Sequence, residues 1–457
     1  MVSHLTSINP ATGTILKEYP ISSEKQIASA VKQAQQQFDV WRQTNFKQRA
    51  QLFKTISKTL RQHKEKLAAL ATQEMGKPIS QSIAEVEKCA MTFEFYAKNG
   101  TAFLKDEIVE TNARKSYVSF QPLGIVLAIM PWNFPYWQVF RAMAPALMAG
   151  NVLLLKHASN VSGCALAIAD IMKKSGAPKG LFQTLLIPSA HVDRLITDDA
   201  ISAITLTGST EAGKKVASLA GAHIKKQVLE LGGSDPYIIL KDADLDLAAK
   251  VCVDGRLVNS GQSCVAAKRF VVVKAIRKEF EKRVVALMKS ATFGDPFKTE
   301  NKIGPLARVD LRNQLHQQVQ ESLSKGAQLL CGGYIPEGQG AFYPPSVLIN
   351  VKKGMPAYDD ELFGPVASLI EAKDEADAIR IANDTIYGLG AGIFSKNKKK
   401  AEDIARNQLQ AGNCFVNSFV HSDPRLPFGG TKQSGYGREL SIFGIREFVN
   451  VKTVFIQ

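Results

Sequence analysis

Apolar residues recur at helical spacing through the first hundred positions. "SEKQIASAVKQAQQQF" (residues 23–38) predicts an amphipathic helix, "RAQLFKTISKTLRQHKEKLAALATQEMGK" a longer helical span, and "SIAEVEKCAMTFEFYAKNG" a third helix ending at Gly100. The period then changes: "KSYVSFQPLGIVLAIMP" reads as strand, broken by Pro122 and Gly124. Short apolar runs next alternate with helical stretches. These are "GIVLAIM", a helix over "PYWQVFRAMAPALMAG", "NVLLLKH", a helix over 162–175, "LFQTLLIP", a short helix near 191–196, "ISAITLTG", the helical "GKKVASLAGA" and "KQVLELGG". Apolar strands separated by helices predict an α/β fold with a parallel sheet covered on both faces.

A second series starts at "DPYIIL". It runs through the helical "LDLAAKVCVDGRLVNSGQSC", the strand "RFVVVK", the helix "IRKEFEKRVVALMKSA", a helix over 311–326 and "AQLLCGG". Two more strand-then-helix units follow, "VASLIEAKDEADAIRIANDT" and "AGIFSKNKKKAEDIARNQL". After the glycine-rich "FGGTKQSGYGRE", the tail "GIREFVNVKTVFIQ" predicts a terminal strand, an arm available for pairing with another subunit.

Length and composition narrow the function classes. A chain of 457 residues, 45% hydrophobic and 22% charged, has room for two or three domains and is not a disordered composition. No run nears the roughly 18 apolar residues of a bilayer span, and no basic-then-apolar start marks a secretory signal. The six cysteines have no close pairs, which argues against a disulfide framework and for a reducing cytoplasm. The seven histidines form no ligand-spaced cluster, so no metal is expected. The net charge of +15 is dispersed among acids; it suits attraction of anionic small molecules and not a nucleic-acid partner.

Four segments carry candidate chemistry. Cys264 sits in the polar, turn-like "NSGQSCVAAKR"; a lone cysteine is more often a buried small hydrophobe, but this context differs from that of the other five. Glu230 lies between leucines before a Gly-Gly turn, either as a general base or as a carboxylate satisfied by that turn's amides. In "MPWNFPYWQVFR", Pro131 and Pro135 brace Asn133 as an amide donor for an oxyanion, or the segment is an aromatic plug over a helix end. In "ISAITLTGSTEAGKKVA", Gly208, Ser209 and Gly213 place a glycine turn at a helix start, suited to a dinucleotide pyrophosphate, although the spacing departs from G-x-G-x-x-G. Lys156, ending "NVLLLKH", would reach the same crevice.

"PWNFP", "TGSTEAG", "LELGG", "GQSC", "DELFGPV" and "FGGTKQSGYGRE" occur in the order found in the NAD(P)-dependent aldehyde dehydrogenase superfamily, which the whole chain resembles. "EMGKPISQSIAEVEK", "LAIMPWNFPYWQVFR", "LLLKHASNV" and "LELGGSDPYIIL" are most similar to bacterial succinate-semialdehyde dehydrogenases. The resemblance implies a Rossmann-type coenzyme-binding domain (1–102 and 123–232), an α/β catalytic domain (233–438) and a small bridging β-sheet for oligomerisation (103–122 and 439–457). It implies Cys264 as nucleophile, Glu230 as the base that activates water, and Asn133 with the Cys264 N–H as oxyanion donors. Trp132, Lys156, Ser159, Gly208, Ser209, Gly213, Glu361 and Phe363 would hold the coenzyme. A small aldehyde substrate and a homodimer or homotetramer are implied as well.

Two positions bear on specificity. In relatives strict for NAD, a glutamate often stands where this chain has Ser159; a small hydroxyl there leaves Lys156 free to pair with a 2′-phosphate, so NADP is expected beside NAD. The alternative is that Ser159 only caps the next helix. Arg141 matches an arginine that binds the substrate carboxylate, Ser422 a nearby loop hydroxyl, and His421 could add a donor; the alternative for Arg141 is a structural salt bridge. Val258 stands where some relatives carry a second arginine, which suggests a looser clamp and wider aldehyde use. Ala266 replaces the mammalian switch cysteine.

Overall fold

A computed structural model describes residues 3–457. The chain opens with a hairpin, β1 (His4–Ile8) and β2 (Ile15–Pro20), followed by helices α1 (Glu24–Trp41), α2 (Phe46–Gln62), α3 (Lys64–Met75) and α4 (Ile79–Phe103). Next come β3 (Glu107–Ile108), β4 (Lys115–Pro122), β5 (Ile125–Met130), α5 (Trp137–Ala149), β6 (Val152–His157), α6 (Ser162–Lys174), β7 (Phe182–Leu185) and α7 (Val192–Thr197). The first half ends with β8 (Ile201–Thr207), α8 (Thr210–Ala222) and β9 (Lys226–Glu230). The second half holds β10 (Pro236–Ile239), α9 (Leu245–Leu257), β11 (Arg269–Val273), α10 (Arg277–Ser290), α11 (Val309–Ser324), β12 (Gln328–Cys331) and β13 (Ser346–Ile349). It continues through α12 (Pro356–Asp359), β14 (Val366–Ala372), α13 (Glu375–Asn383), β15 (Gly390–Phe394), α14 (Lys398–Asn407) and β16 (Asn413–Val416), then closes with β17 (Gly435–Tyr436), α15 (Ser441–Glu447) and β18 (Val449–Ile456).

Three main sheets organise these elements. The first has the order β17-β9-β8-β5-β6-β7, parallel except for β17. Its strand order reverses between β5 and β8, and such a switch point opens a crevice beyond the carboxyl ends of those strands. The second has the order β12-β13-β14-β11-β10-β15-β16 and is parallel apart from β12. The third is the antiparallel β18-β4-β3, in which β18 pairs with β4 of its own chain from Val449 to Ile456 and presents its other edge outward.

The structure departs from the pattern reading where tertiary contacts decide. The β1–β2 hairpin was hidden because its alternation is inverted: Ser7 is buried, while Ile8 and Ile15 are exposed. The long helical span breaks at His63. Gly100 does not end its helix; a Cβ there would lie 2.5 Å from Met148 Cγ, so the glycine lets α4 and α5 pack closely. The helix leading to Cys264 stops at Leu257, because Asn259, Ser260 and Gly261 all adopt positive φ. The "GIRE" portion of the tail belongs to α15, which docks on α4 and α5, with Tyr96 Oη donating to Ser441 O at 3.1 Å.

Candidate active site

The aromatic turn leaves β5 at the switch point and is clamped from two sides. Helix α5 has no side-chain cap of its own, and Glu85 of α4 supplies one, accepting from the N–H groups of Tyr136 and Trp137 at 2.8 Å each. The other Glu85 oxygen pairs with fully buried Lys77, whose ammonium stands 4.0 Å from the Phe134 ring centre. On the opposite side, His157 Nε2 donates to Pro135 O at 2.8 Å while Nδ1 accepts from Ala158 N–H. That pattern holds the ring neutral, and burial pushes its pKa down to about 4. Asn133 thereby projects into the crevice, with its Oδ1 accepting from Gln138 Nε2 and its Nδ2 donating to Gln262 O, both at 3.0 Å.

The cysteine loop is built from strained backbone that distant residues over-determine. Asn259 N–H donates to Gln81 Oε1 at 2.7 Å, and Asn259 Nδ2 donates to Asn133 O at 2.6 Å, which ties this loop to the aromatic turn. Ser260 Oγ exchanges hydrogen bonds with the backbone of Gly304. A Cβ at Gly261 would lie 2.3 Å from the Gly364 backbone, so that close approach needs glycine. Lys268 then holds the loop, donating to Ser263 O at 2.9 Å and Cys264 O at 2.7 Å. Burial pushes the Cys264 thiol up to about 12 against the pull of Arg141 and Lys268, so it rests as the thiol and needs a base when it attacks.

Glu230 ends β9 opposite Thr207, fully buried, with neither carboxylate oxygen hydrogen-bonded. The turn-satisfied alternative is therefore absent. Burial first, then neighbouring Glu439, push its carboxyl well above the usual range, while Arg141 and Arg438 pull it down. Gly429 makes room for it, since a Cβ there would lie 2.9 Å from Glu230 Oε1. Arg141 forms a buried ion pair with Glu439, and its Nη2 stands 3.4 Å from Thr207 Oγ1. The salt bridge weighed against its substrate-reading role is thus present.

A cleft of about 460 Å³ opens at the switch point. Trp132, Asn133, Gly208, Ser209, Cys264, Glu361 and Phe363 all line it, together with Thr207 and Gln138. Trp132 and Phe363 meet edge to face at 5.7 Å. Glu361 Oε1 pairs with Lys268 at 3.1 Å and accepts from Gly233 N–H. A dinucleotide fits this framework. A Cβ at Gly208 would meet nothing nearer than 3.7 Å, so the glycine leaves space before α8, while Gly213 lets that helix approach Leu231. Lys156 and Ser159 lie outside the cleft lining. Lys156 donates to Ser189 Oγ at 3.1 Å, and burial lowers its pKa. Ser159 stands half-buried after β6 and makes no capping bond to α6, which removes the capping alternative.

The substrate-side residues divide. Ser422 is buried and accepts from Lys88 Nζ at 2.8 Å. His421 does not join it: the ring is exposed and packs on Phe415 and Phe419, correcting the expectation of an added donor. Lys88, Lys268, Glu85 and Glu439 escaped the sequence reading. All four lay within quoted segments, but Lys88 and Glu85 show there only as charges on a helix. Among the described residues no group of three or more His, Cys, Asp or Glu side chains could hold a metal, and no helix is long and apolar enough to cross a membrane.

Comparison with known proteins places the chain and its fold. Residues 2–454 match the aldehyde dehydrogenase family. The chain is 47% identical to the NAD(P)+ succinate semialdehyde dehydrogenase of Escherichia coli (strain K12), over 99% of this chain and 98% of that protein. It is 45% identical to an NADP(+) succinate-semialdehyde dehydrogenase of Mycobacterium tuberculosis (strain H37Rv), covering 99% of each. The crystal structure of succinic semialdehyde dehydrogenase from Streptococcus pyogenes with NADP+ superposes with a TM-score of 0.97 at 36% identity, covering 99% of both chains.

Proposed function

The chain belongs to the aldehyde dehydrogenase family, and from that premise we propose that it oxidises succinate semialdehyde to succinate with NADP+ or NAD+ as acceptor. The observation that carries this reading is the convergence of Cys264, Asn133 and the Thr207–Ser209 turn on one cleft. The Cys264 thiol passes its proton to solvent water and its sulfur adds to the aldehyde carbon; the Asn133 amide and the Cys264 N–H stabilise the new oxyanion. When bound, the oxidised nicotinamide supplies the hydride acceptor that turns the thiohemiacetal into a thioester. Glu230, buried and unpartnered, takes a proton from water, which attacks the thioester and releases succinate and the Cys264 thiol.

The Gly208–Ser209 turn and the start of α8 suit the pyrophosphate, with Glu361 and Phe363 placed for the nicotinamide ribose and ring. Ser159, uncommitted to a cap, supports tolerance of a 2′-phosphate beside Lys156. The exposed apolar residues Val451 and Phe455 on the β18 edge support a homodimer or homotetramer, and six free thiols suit the cytoplasm. Purified protein with succinate semialdehyde should form NADPH and succinate without CoA. An absolute requirement for CoA, or failure to oxidise this aldehyde, would overturn the reading.

A further inference from the structure

Three cations around the reaction centre have a carboxylate partner: Arg141 has Glu439, Lys77 has Glu85 and Lys268 has Glu361. Arg256 and Lys156 are buried without one and donate to Gly261 O and Ser189 Oγ. Lys88 has no carboxylate partner either, and its surroundings differ from theirs. It projects from α4, is only partly exposed, and has no carboxylate within ion-pair distance among the described residues. Its ammonium instead stands 4.2 Å from the Trp137 ring centre and donates to Ser422 Oγ at 2.8 Å. Accepting that bond leaves the Ser422 O–H free to donate elsewhere. Trp137 and Arg141 occupy successive turns of α5, the helix that follows the Asn133 turn, so Lys88 packs on the element that leads out of the reaction centre.

We propose that Lys88, acting with the Ser422 hydroxyl, is the residue that selects a carboxylated aldehyde by pairing with the carboxylate remote from the reacting carbonyl. The proposal rests on the semialdehyde reading above. An ammonium kept from water without a counter-charge is costly, and an anionic substrate removes that cost where a neutral aldehyde cannot. Arg141 is then a positioning residue: its charge is already balanced by Glu439 and its Nη2 reaches Thr207 Oγ1, opposite Glu230 on the neighbouring strand, so its loss affects all aldehydes alike. The class of substrate implied is a short aliphatic aldehyde ending in a carboxylate.

The test compares wild type, Lys88→Met, Lys88→Arg and Arg141→Met on succinate semialdehyde and butyraldehyde at saturating coenzyme, with thermal denaturation as a check of folding. Lys88→Met should raise KM for succinate semialdehyde on the order of 30-fold or more, with kcat and the butyraldehyde constants within about threefold of wild type. Lys88→Arg should restore most of the loss, and Arg141→Met should depress both aldehydes together. Equal losses on both aldehydes in Lys88→Met would overturn the role of Lys88; should that variant unfold, Lys88→Gln takes its place, and an unchanged preference for the anionic aldehyde there would overturn it equally. Wild type that prefers succinate semialdehyde while Lys88→Met keeps that preference sinks this proposal alone. Wild type with no such preference sinks the semialdehyde reading, and this proposal with it.

Discussion

Lys268 donates to the carbonyl oxygen of Cys264 at 2.7 Å. The same ammonium pairs with Glu361 at 3.1 Å, so one buried charge links the nucleophile's backbone to the carboxylate facing the coenzyme cleft. Lys268→Met should strand Glu361 and release the loop. We expect a loss of about 3–5 kcal/mol of stability, as when one partner of a buried pair is removed, and a raised coenzyme KM. Thermal denaturation and steady-state kinetics with varied coenzyme check both.

The division of labour between Cys264 and Glu230 is separable. Cys264→Ala should abolish turnover yet leave coenzyme affinity, read by fluorescence titration, nearly unchanged. Glu230→Gln should slow release of the acyl group, so intact-mass measurement after mixing with aldehyde and coenzyme finds an adduct on the protein. Full turnover by either variant refutes the corresponding role.

Ser159→Glu places a carboxylate near the 2′-phosphate position beside Lys156. Repulsion of ~1–4 kcal/mol should lower the NADP-to-NAD ratio of kcat/KM by about fivefold or more. An unchanged ratio would mean that Ser159 does not face the adenosine ribose.

Burial first, then Arg141 of α5, bring the Lys88 pKa down to about 8, against the upward pull of Cys89 and Glu85 of α4 and Asp423 of the loop. Only the ammonium pairs with a carboxylate, so KM for succinate semialdehyde should rise as pH increases through about 8, while KM for butyraldehyde stays flat. Lys88→Arg, charged throughout, should flatten the semialdehyde profile.

His157 gives the fold an acid limit. Its folded pKa of about 4 lies below the ordinary 6.5, so the unfolded chain takes up the proton first. Its contribution is complete above pH 6.5 and is lost as pH falls towards 4, a span worth ~3 kcal/mol. Thermal melts from pH 7 to 4.5 should show this loss, and His157→Asn should reduce its slope.

The chemistry that could be read along the chain was the part written in local context. Cys264 beside glycine, Glu230 before a Gly-Gly turn and Asn133 between prolines each stand out within a few residues. The alternation of strands and helices likewise exposed both parallel sheets. What stayed hidden depends on partners far apart in the chain. Glu85 caps a helix that begins 52 residues later, and Asn259 ties to Asn133 across 126 positions. Arg141 was singled out for its charge, yet Glu439, nearly three hundred positions on, already balances it.

Glu85 and Lys88 stand one turn apart on α4. The first anchors the segment that carries Asn133, and the second faces Ser422. A single rigid rod, with ~4.5 Å of helical rise between the two residues, therefore braces both the aromatic turn and the Ser422 loop. A change that shifts α4 moves both together, so neither can drift independently of the other.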